Sequence, residues 1–241
     1  MRLDAALVAR GLAPTRARAQ AAIEEGRVTV NGARAAKAAQ RVAAAAVVIV
    51  EQGADFVSRG ALKLAAALDA FAIDVTGAVA IDLGASTGGF TDLLLRRGAA
   101  RVYAIDVGHG QLDASLRGDA RVIAIEGMHG RDVSTALIAE AIDLVVCDVS
   151  FISLMKALAP SLALARRGAR AAALVKPQFE LGREKIGKGG IVRADAADYA
   201  RLRADIEAWF EAAGWSVDGW IDSPVAGGDG ERELLIGATK R

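Results

Sequence analysis

The chain has 241 residues, 53% of them hydrophobic and only 5% aromatic, with a formal net charge of +1. That length accommodates one large domain with a smaller one beside it, and the near-zero charge excludes any global attraction to polyanions, so nucleic-acid contact must come from a local surplus. A single cysteine, Cys147, inside an apolar run excludes an internal disulfide and a Cys-rich zinc site; with no signal-peptide core at Met1-Arg2-Leu3-Asp4 and no apolar run near the roughly 18 residues of a membrane span, the chain is expected to be cytoplasmic and off the membrane.

Residues 1–50 hold eight Lys/Arg against three Asp/Glu, which is such a local surplus. Leu3, Ala6, Leu7, Ala9 and Leu12 predict a short amphipathic helix. A second follows Pro14, with Thr15 as its cap and Ala19, Ala22 and Ile23 on its apolar face. Val28-Thr29-Val30 alternates as a strand, Asn31-Gly32 is a two-residue hairpin turn, and Val47 to Val50 makes a further strand. Arg2, Arg16, Arg18, Arg27, Arg34, Lys37 and Arg41 surround this unit. Scattered arginines usually mean a solvated face, but their concentration in one small module favours RNA contact through backbone phosphates. The stretches Arg2-Leu3-Asp4-x-x-Leu7, Thr15-Arg16-Ala17-Arg18-Ala19-Gln20 and Gly26-x-Val28-x-Val30-Asn31-Gly32 resemble an S4 RNA-binding domain. That resemblance implies recognition of structured RNA by shape and names no reaction. The domain boundary is placed at about 53–56.

Beyond it, Ser58 is expected to cap a helix over Ala61 to Phe71 that carries Lys63 and follows Arg59. Strands are expected near 78–82, 102–105, 121–125, 142–147, 170–175, 215–221 and 233–238, and helices near 88–97, 112–117, 132–139, 153–166 and 196–213. This alternation predicts an α/β fold with a mixed, mostly parallel seven-stranded sheet covered on both faces. Ligands on such sheets bind at the carboxyl ends of the strands.

Charged residues recur at those ends. Val79-Ala80-Ile81 leads into Asp82 and the loop Gly84-Ala85-Ser86-Thr87-Gly88-Gly89. The next strand ends in Asp106, where a carboxylate can accept ribose hydroxyls. Two more strands end in Asp148 and in Lys176-Pro177. The glycine loop is not GxGxxG, and the acid ahead of it suits a cationic ligand better than a phosphate. S-adenosyl-L-methionine, with a sulfonium, an ammonium and a ribose, fits; an ordinary glycine turn of a doubly wound sheet is the competing reading. Lys176 and Asp148 could pair in a cleft. With Lys63 nearby, one lysine would lose its proton more easily and serve as a general base for a hydroxyl attacking the methyl group. No metal cluster is visible, and this chemistry needs none. Trp209, Trp215 and Trp220 read as packing residues rather than a stacking platform.

Ser58-Arg59-Gly60-Ala61-x-Lys63-Leu64, the Asp82–Asp92 stretch, Val102-Tyr103-Ala104-x-Asp106-Val107-Gly108-x-Gly110-Gln111-Leu112, Asp148-Val149-Ser150-Phe151-Ile152-Ser153 and Lys176-Pro177-Gln178-Phe179-Glu180 occur in order. Together with the N-terminal module they resemble the TlyA (haemolysin A) family of ribosomal RNA 2′-O-methyltransferases, whose catalytic half is similar to FtsJ-type enzymes. The resemblance implies a small α+β S4-like domain over 1–53 and a Rossmann-like class I methyltransferase domain over 54–241. It implies a catalytic set of Lys63, Asp148, Lys176 and Glu233, with Lys176 activating a ribose 2′-hydroxyl, on a cytidine in the family's pattern. It assigns cofactor contacts to Asp82, Gly84, Ala85, Ser86, Thr87, Gly88, Gly89, Phe90, Asp106, Val107 and Met128. RNA contacts would come from the basic residues of the N-terminal unit, from Arg59, and from Lys185 and Lys188 in the glycine-rich stretch Phe179 to Arg193. Two positions depart from the family pattern: Glu231 stands where Asn is usual, with Glu233 the match to the family's acid, and His129 replaces an Asn near the expected adenine. Ribosomal RNA or a ribosomal subunit is the implied partner. A binding-only ribosome-assembly factor and a membrane-active haemolysin remain the alternatives.

Overall fold

The computed structural model describes residues 1–241 apart from 14, 25, 36, 51–55, 188–190 and 227–230, together with the side chains of 17, 21, 24, 50 and 183. Chain contacts divide it into two units, Met1–Ser58 and Arg59–Arg241. The domain boundary expected at 53–56 falls mostly in residues outside those described.

The first unit contains helices α1 (Leu3–Ala9) and α2 (Arg16–Glu24) and strands β1 (Val28–Val30), β2 (Ala33–Arg34) and β3 (Val48–Val50), paired antiparallel in the order β2-β1-β3. Its core is Leu3, Ala6, Leu7, Ala19, Ala22, Ile23 and Val28. The Thr15 hydroxyl accepts from the Arg18 amide at 3.2 Å, capping α2 as its sequence position suggests. Asn31 and Gly32 both take positive φ, 51° and 81°, which suits a tight hairpin whose strands twist right-handedly. Leu12 departs from expectation. α1 ends at Ala9, so Leu12 lies beyond its apolar stripe and is 40% exposed.

The second unit runs α3 (Gly60–Ala70), β4 (Val79–Leu83), α4 (Gly89–Arg96), β5 (Arg101–Asp106), α5 (Ala114–Arg117), β6 (Val122–Glu126), β7 (Ile142–Cys147), α6 (Leu154–Leu164), β8 (Ala165–Val175), α7 (Pro177–Glu180), α8 (Ala196–Ala212), β9 (Trp215–Asp222) and β10 (Leu234–Lys240). One seven-stranded sheet has the order β6-β5-β4-β7-β8-β10-β9. The first five strands pair parallel, and β10 runs antiparallel to both its neighbours. Strand residues alternate between two buried faces. Ile81, Leu83, Val145, Cys147, Ala173 and Val175 pack with Leu158 and Leu162 of α6 and Ile206 and Phe210 of α8. Ala80 and Asp82 point to the opposite face, where Asp82 meets Thr91 of α4. Strand order reverses at β4, between β5 and β7, and the carboxyl ends there open a crevice.

Three local expectations are corrected. No helix spans 132–139; a single 3-10 turn covers Gly130–Asp132 and Val133 is extended at φ −63°, ψ 136°. Val133 and Ile138 are drawn into the core, and β-branched Val133, Thr135 and Ile138 with Ser134 are poor helix formers. Ser58 does not cap α3: Arg59 occupies the N-cap and makes no side-chain capping bond. β8 starts at Ala165, five residues before the expected 170, directly after α6. Among the described residues no helix is long and apolar enough to cross a membrane.

Candidate active site

The carboxyl edge of β4 sets the geometry. Asp82 is fully buried; its Oδ2 accepts from the Thr91 hydroxyl at 2.7 Å, while Oδ1 has no protein donor. Burial pushes the Asp82 carboxyl up to about 7, the Thr91 hydroxyl opposes this, and the charges of Asp148 and Asp106 add to it. Gly84 follows with φ +80°, and a Cβ there would lie 2.4 Å from the Asp148 carbonyl oxygen. Glycine therefore lets the end of β4 lie against the backbone that carries Asp148.

Asp106 ends β5 and is held from both sides. Its Oδ2 accepts from the Ser86 amide at 2.8 Å and its Oδ1 from the Gly108 amide at 2.7 Å. Beside it lies a shallow cleft, open to solvent, lined by the apolar Ala85, Ala104, Leu112 and Ala124 and by the polar Ser86, Asp106, Gln111 and Glu126. Glu126, at the end of β6, accepts from the Gly110 amide at 3.0 Å and is paired with Arg117. A floor of small apolar side chains suits a flat base, and a fixed carboxylate suits vicinal hydroxyls. The orphaned Asp82 oxygen is a buried acceptor that no protein group uses. These residues fit an adenosyl group joined to a cationic amino-acid moiety.

Four charged residues complete the edge as two pairs. Lys63, on α3, reaches Glu233 at 2.5 Å, and both are buried. Lys176, after β8, lies 2.5 Å from Asp148 Oδ1, and its Nζ also donates to Ser150 Oγ at 2.9 Å. The Lys176–Asp148 contact is an ion pair without hydrogen-bond alignment at Oδ1. Each ammonium thus faces a carboxylate rather than the other ammonium. Because Leu234 of β10 is registered opposite Val175 of β8, the residues just outside them, Glu233 and Lys176, are cross-strand neighbours. Glu233, the expected acid, is buried and meets Lys63, whereas Glu231 is half-buried.

Of the remaining candidate cofactor residues, Gly88 and Gly89 sit at the start of α4, Thr87 and Val107 are exposed, Met128 is half-buried, and Phe90 is packed away at 4% exposure. His129 is exposed, and His109 lies with its ring against Gly127. Cys147 is fully buried, and desolvation raises its thiol well above the usual range. Trp215 is buried, with Trp209 and Trp220 packed against the core.

Sequence reasoning missed three side chains here. Thr91 and Ser150 lie within the motifs but carry no role there; Thr91 reaches back nine residues to Asp82, and the partner of Ser150, Lys176, is 26 residues away. Phe151 is the third. It holds φ +65°, is 91% exposed, and stands 5.2 Å from the Phe179 ring. In sequence it sits in the apolar-looking string Val149-Ser150-Phe151-Ile152, which gives no sign that it faces water.

In the N-terminal unit the candidate RNA-binding residues take several positions. Arg2 and Arg16 converge on the buried Asp4 at 3.1 and 3.0 Å, with Gln20 adding a third side-chain donor at 3.1 Å. Hydrogen bonds from Arg2, foremost, hold the Asp4 carboxyl far below the usual carboxylate range. Arg18 donates to the Phe56 carbonyl and Arg34 to the Gly26 carbonyl, Arg27 is half-buried, and Lys37 and Arg41 are exposed. In the larger unit Arg59 is half-buried, and Lys185 is tied to Asp198 at 2.8 Å. Lys188 lies outside the described residues.

Comparison with known proteins matches residues 1–48 to the S4 domain and 56–240 to the FtsJ-like methyltransferase family. The chain is 44% identical to the 16S/23S rRNA (cytidine-2′-O)-methyltransferase TlyA of Mycobacterium tuberculosis, over 98% of this chain and 88% of that one. A solved Streptococcus thermophilus protein described as a hemolysin is 37% identical, with a TM-score of 0.77, covering 100% of this chain and 88% of that chain. Magnesium protoporphyrin IX methyltransferase from Synechocystis PCC 6803, solved with bound SAH, shares the fold at 16% identity and a TM-score of 0.52, over 76% of this chain and 83% of that one.

Proposed function

The chain belongs to the TlyA family of S4-bearing, FtsJ-like methyltransferases, and on that premise we propose that it transfers a methyl group from S-adenosyl-L-methionine to a ribose 2′-hydroxyl of ribosomal RNA, on a cytidine, in the cytoplasm. The observation that carries this reading is the meeting, at one sheet edge, of an open cleft beside the Asp106 carboxylate and two lysine–carboxylate pairs.

When bound, S-adenosylmethionine supplies an electrophilic methyl group. Asp106 would accept hydrogen bonds from the ribose hydroxyls, Ala104 and Ala124 would line the base, and the buried Asp82 carboxylate would favour the cationic end of the ligand by its charge. Lys176, when unprotonated, would take the proton of the target hydroxyl as the oxygen–methyl bond forms and the sulfur–methyl bond breaks, the neutral thioether leaving, and Asp148 would stabilise the ammonium that results. The neighbouring Lys63–Glu233 pair fixes the floor of the site without adding net charge. Phe151 presents an aromatic face to solvent beside these groups, a surface on which an unstacked base can lie. RNA is retained by the arginines of the S4 unit, whose backbone contacts give affinity without sequence information.

Substituting Lys176→Ala tests the assignment. Methyl transfer to subunit RNA is expected to fall by about a hundredfold or more, with affinity for S-adenosylmethionine and RNA held within about threefold. Turnover near that of the unsubstituted protein would remove Lys176 from the reaction.

A further inference from the structure

The Lys176 nitrogen has a second oxygen neighbour that the lysine–carboxylate pairing leaves out: Ser150 Oγ, at 2.9 Å. A lysine nitrogen turns freely about its last carbon–nitrogen bond. That rotation is a single torsion, so one aligned acceptor is enough to set it. Asp148 Oδ1 attracts the nitrogen at 2.5 Å without hydrogen-bond alignment, so the aligned bond to Ser150 Oγ sets the torsion. With that bond made and a second substituent on the Asp148 side, one tetrahedral direction at Nζ remains. That direction holds an N–H in the ammonium form and the lone pair in the amine form.

The chain around Ser150 is built to hold it there. Phe151 takes φ +65°, a conformation a bulky residue rarely adopts, and so reverses the backbone immediately after Ser150. A few residues on, the Leu154 amide donates to Glu180 Oε1 at 2.6 Å, fastening the start of α6 to α7, which directly follows Lys176. Ser150 and Lys176 are thus carried by two segments joined to each other. Ser150 itself is exposed, on the open side of the Lys176–Asp148 pair rather than in the core.

We propose that Ser150 is a positioning residue for the transfer: its hydroxyl, with the Asp148 carboxylate, fixes the direction in which the Lys176 amine meets the target hydroxyl. This rests on Lys176 being the proton acceptor of the proposed reaction. Misdirected lone pairs lower the rate of the bound complex without weakening the complex itself.

The test compares the full-length protein with Ser150→Ala and Ser150→Thr, measuring kcat and KM for S-adenosylmethionine and for ribosomal subunits, and the thermal midpoint. The alanine variant is expected to lose about tenfold in kcat, with both KM values within about twofold and an unchanged midpoint. Threonine, which keeps the hydroxyl, is expected to restore kcat to within about threefold of the unsubstituted protein. An unchanged kcat in the alanine variant would overturn the proposal. So would a loss that threonine fails to restore, or one accompanied by a lowered midpoint or a raised KM for RNA, which would mark a structural or RNA-contacting role. An unsubstituted protein that methylates no RNA would sink the functional reading beneath it; an active one with an equally active alanine variant would sink the Ser150 inference alone.

Discussion

Asp82 places a titratable carboxyl under the cofactor loop. In the ligand-free fold its value is raised from 3.8 to about 7, mainly by burial. The folded state therefore keeps a proton that the unfolded chain releases, so this group's stabilising contribution is present below 3.8 and is lost as pH rises toward about 7. A cationic ligand favours the carboxylate. Binding of S-adenosylmethionine at pH 6.5 is therefore expected to release a fraction of a proton, read by calorimetry in buffers of different ionisation enthalpy. Asp82→Asn should abolish the release; none from the unsubstituted protein would contradict the assignment. Asp82, Asp106, Asp148 and Lys176 were legible in the sequence because each follows an apolar run at the carboxyl end of a strand. Thr91, Ser150 and the exposure of Phe151 were not, because each depends on how the chain is placed in space: Thr91 on α4 turning back to β4, Ser150 on the approach of Lys176.

At the scale of elements, the crevice depends on β4 and β7 ending side by side. Gly84 permits it, with φ +80° and a virtual Cβ 2.4 Å from the Asp148 carbonyl oxygen. Gly84→Ala is expected to cost about 1–3 kcal/mol in urea unfolding and to weaken S-adenosylmethionine binding, because the Asp148 backbone must move. An unchanged unfolding midpoint together with unchanged cofactor affinity would show that the close approach is dispensable. The strands were readable from continuous Val, Ile, Leu and Ala runs, as expected where both faces are covered. The segment 132–139 was misread because Val133, Leu137 and Ile138 mimic helical spacing while serving as core plugs in an irregular stretch. The early start of β8 was hidden by Arg166, Arg167 and Gly168, which look like a loop and extend the strand beyond its buried part.

At the scale of the whole molecule, the division of labour is between the unit that ends at Ser58 and the one that begins at Arg59. The net charge of +1 gives RNA no general reason to bind, so affinity is assigned to the arginines of the first unit. Asp4 holds Arg2 and Arg16 together while leaving their side chains 49% and 59% exposed. Replacing both with Ala is expected to weaken RNA binding and to reduce the slope of log affinity against log salt by about one to two, with S-adenosylmethionine affinity unchanged. An unchanged slope would mean that these arginines serve only to neutralise Asp4.

The central claim is the chemistry, and one measurement addresses it: transfer of labelled methyl from S-adenosylmethionine to small and large ribosomal subunits from cells lacking this protein, followed by nucleoside mass spectrometry of the RNA. The account predicts 2′-O-methylcytidine, formed only when Lys176 is present. A methyl group on a base, or no transfer by a protein that demonstrably binds the cofactor and both subunits, would contradict it.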